Sequence, residues 1–73
     1  MTVTAERIIE IASQMLSKRE LQSMSKYGKA AVSQHIRQML EAGVEFDQKT
    51  LNLTKAEIER EAARADAAAK GAR

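Results

Sequence analysis

Ser17–Gly43, SKRELQSMSKYGKAAVSQHIRQMLEAG, decides the fold. It reads as a short helix, a break at Tyr27-Gly28, and a longer helix stopped by Gly43. Ser17-Lys18-Arg19-Glu20 is a capping box, in which the serine oxygen accepts the Glu20 amide and the glutamate reaches back to the Ser17 amide. Leu16 before the cap and Leu21 after it form a hydrophobic staple. The first helix is therefore expected over about Lys18 to Lys26, with Leu21 and Met24 inward. Gly28 suits a positive backbone dihedral in the turn. The second helix is expected over about Lys29 to Ala42. Val32, Ile36, Met39 and Leu40 recur at helical spacing and make its buried stripe. Lys29, Ala30, Ser33, Gln34, Arg37 and Gln38 make the opposite face. Gly43 stands where a helix ends on a left-handed residue, leaving Val44 to fold back on Met39.

Upstream, Ile8, Ile9, Ala12, Met15 and Leu16 form one face of a core helix from about Ala5 to Leu16, which Ile11 widens. Thr4 or Thr2 is its N-cap. Downstream, Val44-Glu45-Phe46 and Leu51-Asn52-Leu53 each alternate around Asp47-Gln48-Lys49-Thr50. That pattern fits either a very small hairpin or an irregular loop tucking Phe46 and Leu51 into the core. Thr54-Lys55-Ala56-Glu57 reads as a second capping box, with Leu53 and Ile58 as its staple. A C-terminal helix is thus expected from about Lys55. Its inward face past Ile58 holds only Ala62, Ala65 and Ala69. Its support comes from the pairs Glu57–Arg60, Glu61–Arg64 and Asp66–Lys70. Such a helix projects from the domain, pairs with another chain, or frays. The expected architecture is all-α, three to four helices, with a helix-turn-helix-like pair, a short hairpin or loop at 44–53 and a projecting C-terminal helix. The expected division is a helical domain 1–53, a charged alanine-rich helix 54–70 and a disordered tail 71–73.

Seventy-three residues permit one domain with a modest core. There is no cysteine, so no disulfide and no thiolate metal site, which fits a reducing cytosol. The single histidine, His35, cannot make a metal centre without carboxylate help, and no metal or cofactor is expected. Dimerisation is then the readiest extra source of stability, and a homodimer is expected rather than a monomer. No apolar run approaches the roughly 18 residues of a membrane span, and the N-terminus lacks a signal peptide's pattern.

The net charge of +2 is unevenly placed. Within 18–38, Lys18, Arg19, Lys26, Lys29 and Arg37 stand against the single acid Glu20, a local surplus of +4. A basic patch of this kind points to an anionic partner, against the plainer reading of a solvated face. Enzymatic chemistry is not expected. Glu41 and Glu45 are not paired for acid–base work, no glycine-rich phosphate loop exists, and no nucleophile has a base at usable spacing. Tyr27 and Phe46 are the only aromatics, too few for stacking on single-stranded RNA.

The end of the stretch, AAVSQHIRQMLEAG, resembles the helix-turn-helix of winged-helix transcription regulators. There a run of small residue–Val–Ser–x–His–Ile/Leu continues into a helix ending in Glu-Ala-Gly, followed by a β wing. The buried leucine and valine of that motif stand about as far apart as Leu21 and Val32, 11 positions. Residues 44–53 take the place of the wing. Gln22 stands where the motif has a small residue, and Lys26 where it has its turn glycine. The resemblance implies a small transcription regulator that binds double-stranded DNA; its small, charged helical character suits a phage or plasmid type, and the expected location is the cytoplasm. Lys29, Ala30, Ser33, Gln34 and Arg37 would face the groove, with Gln34 pairing adenine and Arg37 guanine or phosphate. Lys18, Arg19 and Lys26 would neutralise phosphates. A different class is a non-enzymatic regulator of the antirepressor or inhibitor kind. It would occupy another protein through its helices, above all the C-terminal one, and Met15, Met24 and Met39 suit such surfaces. Methionines more commonly fill core gaps.

Overall fold

A computed structural model of the chain describes residues 3–71. It holds four helices and no strand among the described residues: α1 (Ala5–Met15), α2 (Lys18–Ser23), α3 (Lys26–Glu41) and α4 (Gln48–Gly71). α3 packs most extensively on α4, and α1 lies across both.

Local capping explains the first half of the chain. The Thr4 hydroxyl accepts the Arg7 amide at 3.2 Å and starts α1; Thr2, the other candidate cap, lies outside the described residues. The capping box of α2 forms in full, with Ser17 Oγ accepting the Glu20 amide at 3.1 Å and Glu20 Oε1 accepting the Ser17 amide at 3.0 Å. Ile11, Ala12, Met15 and Leu16 are buried, whereas Ile9, expected on the same face, is 63% exposed. At roughly 100° per residue, a stripe centred on Ile8, Ala12 and Met15 leaves Ile9 on its outer edge.

α3 begins three residues earlier than the glycine suggested. Ser25 is its N-cap, accepting the Gly28 amide at 3.3 Å, so the break falls at Met24-Ser25 and α2 ends at Ser23. Gly28 is buried inside the first turn, and Gly43 is the one glycine with a positive φ among the described residues. The expected turn glycine is instead a point of close approach: a Cβ on Gly28 would lie 2.7 Å from Asp66 Oδ1 of α4. The end of α3 follows expectation. Gly43 takes φ 83°, its amide bonds Leu40 O, and the Val44 amide bonds Met39 O, which is a Schellman closure.

No hairpin forms at 44–53. The Asp47 carboxylate accepts the Thr50 amide at 2.8 Å, and α4 starts at Gln48. Leu51, Thr54, Ile58 and Ala62 are its buried residues, at helical spacing. Thr54 is therefore a core residue in mid-helix rather than a cap, and the 53/54 boundary falls inside α4. With one stripe running from Leu51 to Ala62, burial continues straight through Thr54–Glu57, and no second capping box forms there. At 1.5 Å per residue α4 is about 36 Å long, close to the molecule's long axis of 38 Å. Its alanine half does not stand clear of the domain: Ala62 is buried and Asp66 accepts a hydrogen bond from the Ser25 hydroxyl. Of the tail, Gly71 is helical, and 72–73 lie outside the described residues.

One core joins the helices. Ile36 of α3 and Ile58 of α4 are both at 0% exposure, with Ile11, Met15, Leu16, Val32 and Leu51 in the same cluster. Ile8, Leu21, Met24, Leu40 and Phe46 pack on its edges. Truncating Ile58 removes three carbons from a site with no surface, so Ile58→Ala should cost about 2–5 kcal/mol, read as a lower urea midpoint in circular dichroism. Gly28 and Asp66 should be coupled. Alanine gains helix propensity of about 0.5–1 kcal/mol over glycine, but its methyl displaces the Asp66 carboxylate. Gly28→Ala should therefore stabilise an Asp66→Ala background more than it stabilises wild type, measured by a urea double-mutant cycle.

Candidate nucleic-acid interface

All eight residues expected at a DNA interface are exposed: Lys18, Arg19, Lys26, Lys29, Ala30, Ser33, Gln34 and Arg37. The earlier start of α3 brings Lys26 onto the same helix as the other five residues there. Ala30, Gln34, Arg37 and Glu41 follow one another at i, i+4, i+7 and i+11, forming a stripe that points away from the core. Lys26 and Ser33 border it. Lys29 lies further round on the Ser33 side, where the two rim a shallow apolar groove lined by Ile8, Ile9, Ala12 and Leu21. Lys18 and Arg19 sit separately, in the first turn of α2.

The electrostatics of this face are mixed. Arg37 Nε lies 3.8 Å from Glu41 Oε2, an exposed pair one turn apart. Such a pair is worth only a few tenths of a kcal/mol, so Arg37 can exchange it for a stronger anion. Lys26 Nζ lies 5.3 Å from the centre of the Tyr27 ring, which holds the ammonium over an exposed aromatic face. Tyr27 was not among the expected interface residues. Once α3 is begun at Ser25, helical periodicity alone puts it on the outer surface. The positive end of α3 is already engaged: Asp66 reaches it from α4 and bonds the Ser25 hydroxyl, itself the acceptor for Gly28. Any anionic partner therefore meets side chains of α3 rather than its first amides.

The opposite flank of α3 carries the second polar grouping. His35 Nδ1 lies 2.9 Å from Glu61 Oε2 of α4, with the imidazole 15% exposed and the carboxylate 39%. One turn back on α4, Glu57 joins them, and the ligand atoms of the three all lie within 4.8 Å of one another. The anticipated ion pairs Glu57–Arg60, Glu61–Arg64 and Asp66–Lys70 do not form among the described residues; Glu61 turns to His35 and Asp66 to Ser25. The Glu57/Glu61 spacing was visible in the sequence, but the register that sets it against His35 was not.

Two capping carboxylates titrate with the fold. Glu20 is held below its ordinary value first by the Ser17 amide, then by the Ser17 hydroxyl, with a smaller contribution from Lys55. Asp47 is lowered first by the Thr50 amide and then by its side chain. For both groups the folded value lies below the unfolded one. Their stabilisation is thus present above the ordinary carboxylate range and is lost as pH falls below it through the depressed folded values. Glu20→Gln/Asp47→Asn keeps the hydrogen-bonding atoms but removes the charge, so its melting temperature should fall less steeply than wild type below the ordinary carboxylate range. Comparison with protein-family models, curated proteins and solved structures found no match for the chain.

Proposed function

We propose that the chain is a small, non-enzymatic regulator that binds double-stranded DNA through the outer face of α3. The observation that carries this reading is the single exposed face holding Lys26, Ala30, Ser33, Gln34 and Arg37, flanked by Lys29, within the segment of local charge +4. A helix of 16 residues following a short helix across a tight break suits insertion into a major groove. Gln34 offers the paired donor and acceptor that adenine requires, and Arg37 the fork that fits guanine or a phosphate. Lys18, Arg19 and Lys26 supply phosphate neutralisation, which positions the protein without reading sequence. The wing expected after α3 is replaced by the start of α4, so the reading rests on α2 and α3 alone. Binding as a homodimer would place two copies of α3 on half-sites one helical turn apart, and a regulator of this kind would act in the cytoplasm. No helix is long and apolar enough to cross a membrane among the described residues.

A second reading, a regulator that occupies another protein, is favoured by the exposed apolar side chains Ile9 on α1 and Leu53 on α4. The two readings separate in a mobility-shift titration over salt with random and palindromic duplexes. On the DNA reading, wild type binds at low salt and loses affinity steeply as salt rises. Lys29→Ala/Arg37→Ala should bind at least about 10-fold more weakly and show a salt slope shallower by about 1–2. Absence of binding to any duplex at low salt would overturn the DNA reading.

A further inference from the structure

We propose that His35, Glu57 and Glu61 form a binding site for a divalent transition-metal ion, with zinc as the probe, and that the ion clamps α3 to α4. The donor set is one imidazole nitrogen and two carboxylates, drawn from two helices and already gathered within 4.8 Å. Zinc bonds to nitrogen and carboxylate oxygen measure about 2.0–2.2 Å, which places tetrahedral ligands about 3.4 Å apart. Side-chain rotations alone therefore close the site.

The backbone presents the donors before any ion arrives. Glu57 and Glu61 are four residues apart on one face of α4, and His35 meets Glu61 from α3 across 26 positions of sequence. Among the described residues neither glutamate has a lysine or arginine nitrogen within 4.0 Å, although Arg60 and Arg64 are near in sequence. The two carboxylates thus converge on a ring rather than on a cation. In the metal-free contact Nδ1–H donates to the Glu61 carboxylate; coordination moves the imidazole proton to Nε2 and turns the freed Nδ1 lone pair to the ion. A nitrogen donor among carboxylates selects zinc and its first-row neighbours over calcium or magnesium, which prefer all-oxygen shells. Three protein ligands leave a fourth position for water.

An ion that binds only the folded chain stabilises it by mass action. At zinc about 100-fold above its dissociation constant, the melting temperature of tag-free protein should rise by on the order of 10 °C. Cobalt(II) should give the visible d–d absorption of a nitrogen- and oxygen-ligated ion, and should shift the ring protons of the one histidine. His35→Gln and Glu57→Gln should each weaken zinc binding at least tenfold by calorimetry. Glu57 is exposed and accepts no hydrogen bond from the rest of the described chain, so E57Q tests the site without challenging the fold. Glu59→Gln, between the two ligands in sequence but on the other face of α4, should bind as wild type does. No thermal shift at millimolar zinc, no paramagnetic shift of the histidine, or equal binding by wild type, H35Q and E57Q would each overturn the proposal. All readouts are made without nucleic acid, so they stand apart from the DNA-binding reading.

Discussion

The antiparallel pairing of α3 with α4 is the constraint on which the rest of the molecule depends. Ile36 and Ile58 have no exposed surface, and the remaining core residues gather around them. Without disulfide, α1 and α2 alone could not bury enough apolar area for a stable domain. The pairing also sets the register of every polar contact between the two helices: Gly28 with Asp66, and His35 with Glu61. These contacts run in opposite senses along the two helices, as an antiparallel pair requires.

What was legible in the sequence is what involves atoms a few residues apart. The Thr4 cap, the Ser17–Glu20 box and the Gly43 closure are all made within one turn, so residue type and spacing sufficed. The errors arose where a local pattern competed with a distant one. Thr54-Lys55-Ala56-Glu57 has the letters of a capping box, yet Thr54 lies on the same stripe as Leu51 and Ile58, and burial decided its place. Val44 to Leu53 alternates like a hairpin, but the Asp47 cap and the apolar spacing from Leu51 to Ala62 outweigh two three-residue limbs. Gly28 reads as a turn because glycine is commonest there. Its actual role, admitting the carboxylate of Asp66, depends on a residue 38 positions away and has no local signature.

The same division applies to the chemistry of the surface. The eight candidate interface residues of α2 and α3 could be named as exposed from periodicity, since an outer face needs no partner. The grouping of His35 with Glu57 and Glu61 could not, because it requires the relative register of two helices. α3 thus carries two polar flanks with different demands. One points into solvent and is the face proposed to meet DNA; the other is turned toward α4 and is the proposed metal site.

The hydrogen bond from Ser25 to Asp66 has a consequence for the order in which the chain is made. Synthesis runs from the N-terminus, so Lys26 to Glu41 are made before residue 66 exists. During that interval the first turn of α3 has its own serine cap but not the carboxylate that anchors the serine, and Ile36 lacks Ile58. α3 therefore cannot settle into its final seat by growing outward from its own sequence. Its final seat forms only with the far half of α4, so the helix that defines the outer face is held in place by the last-made part of the described chain.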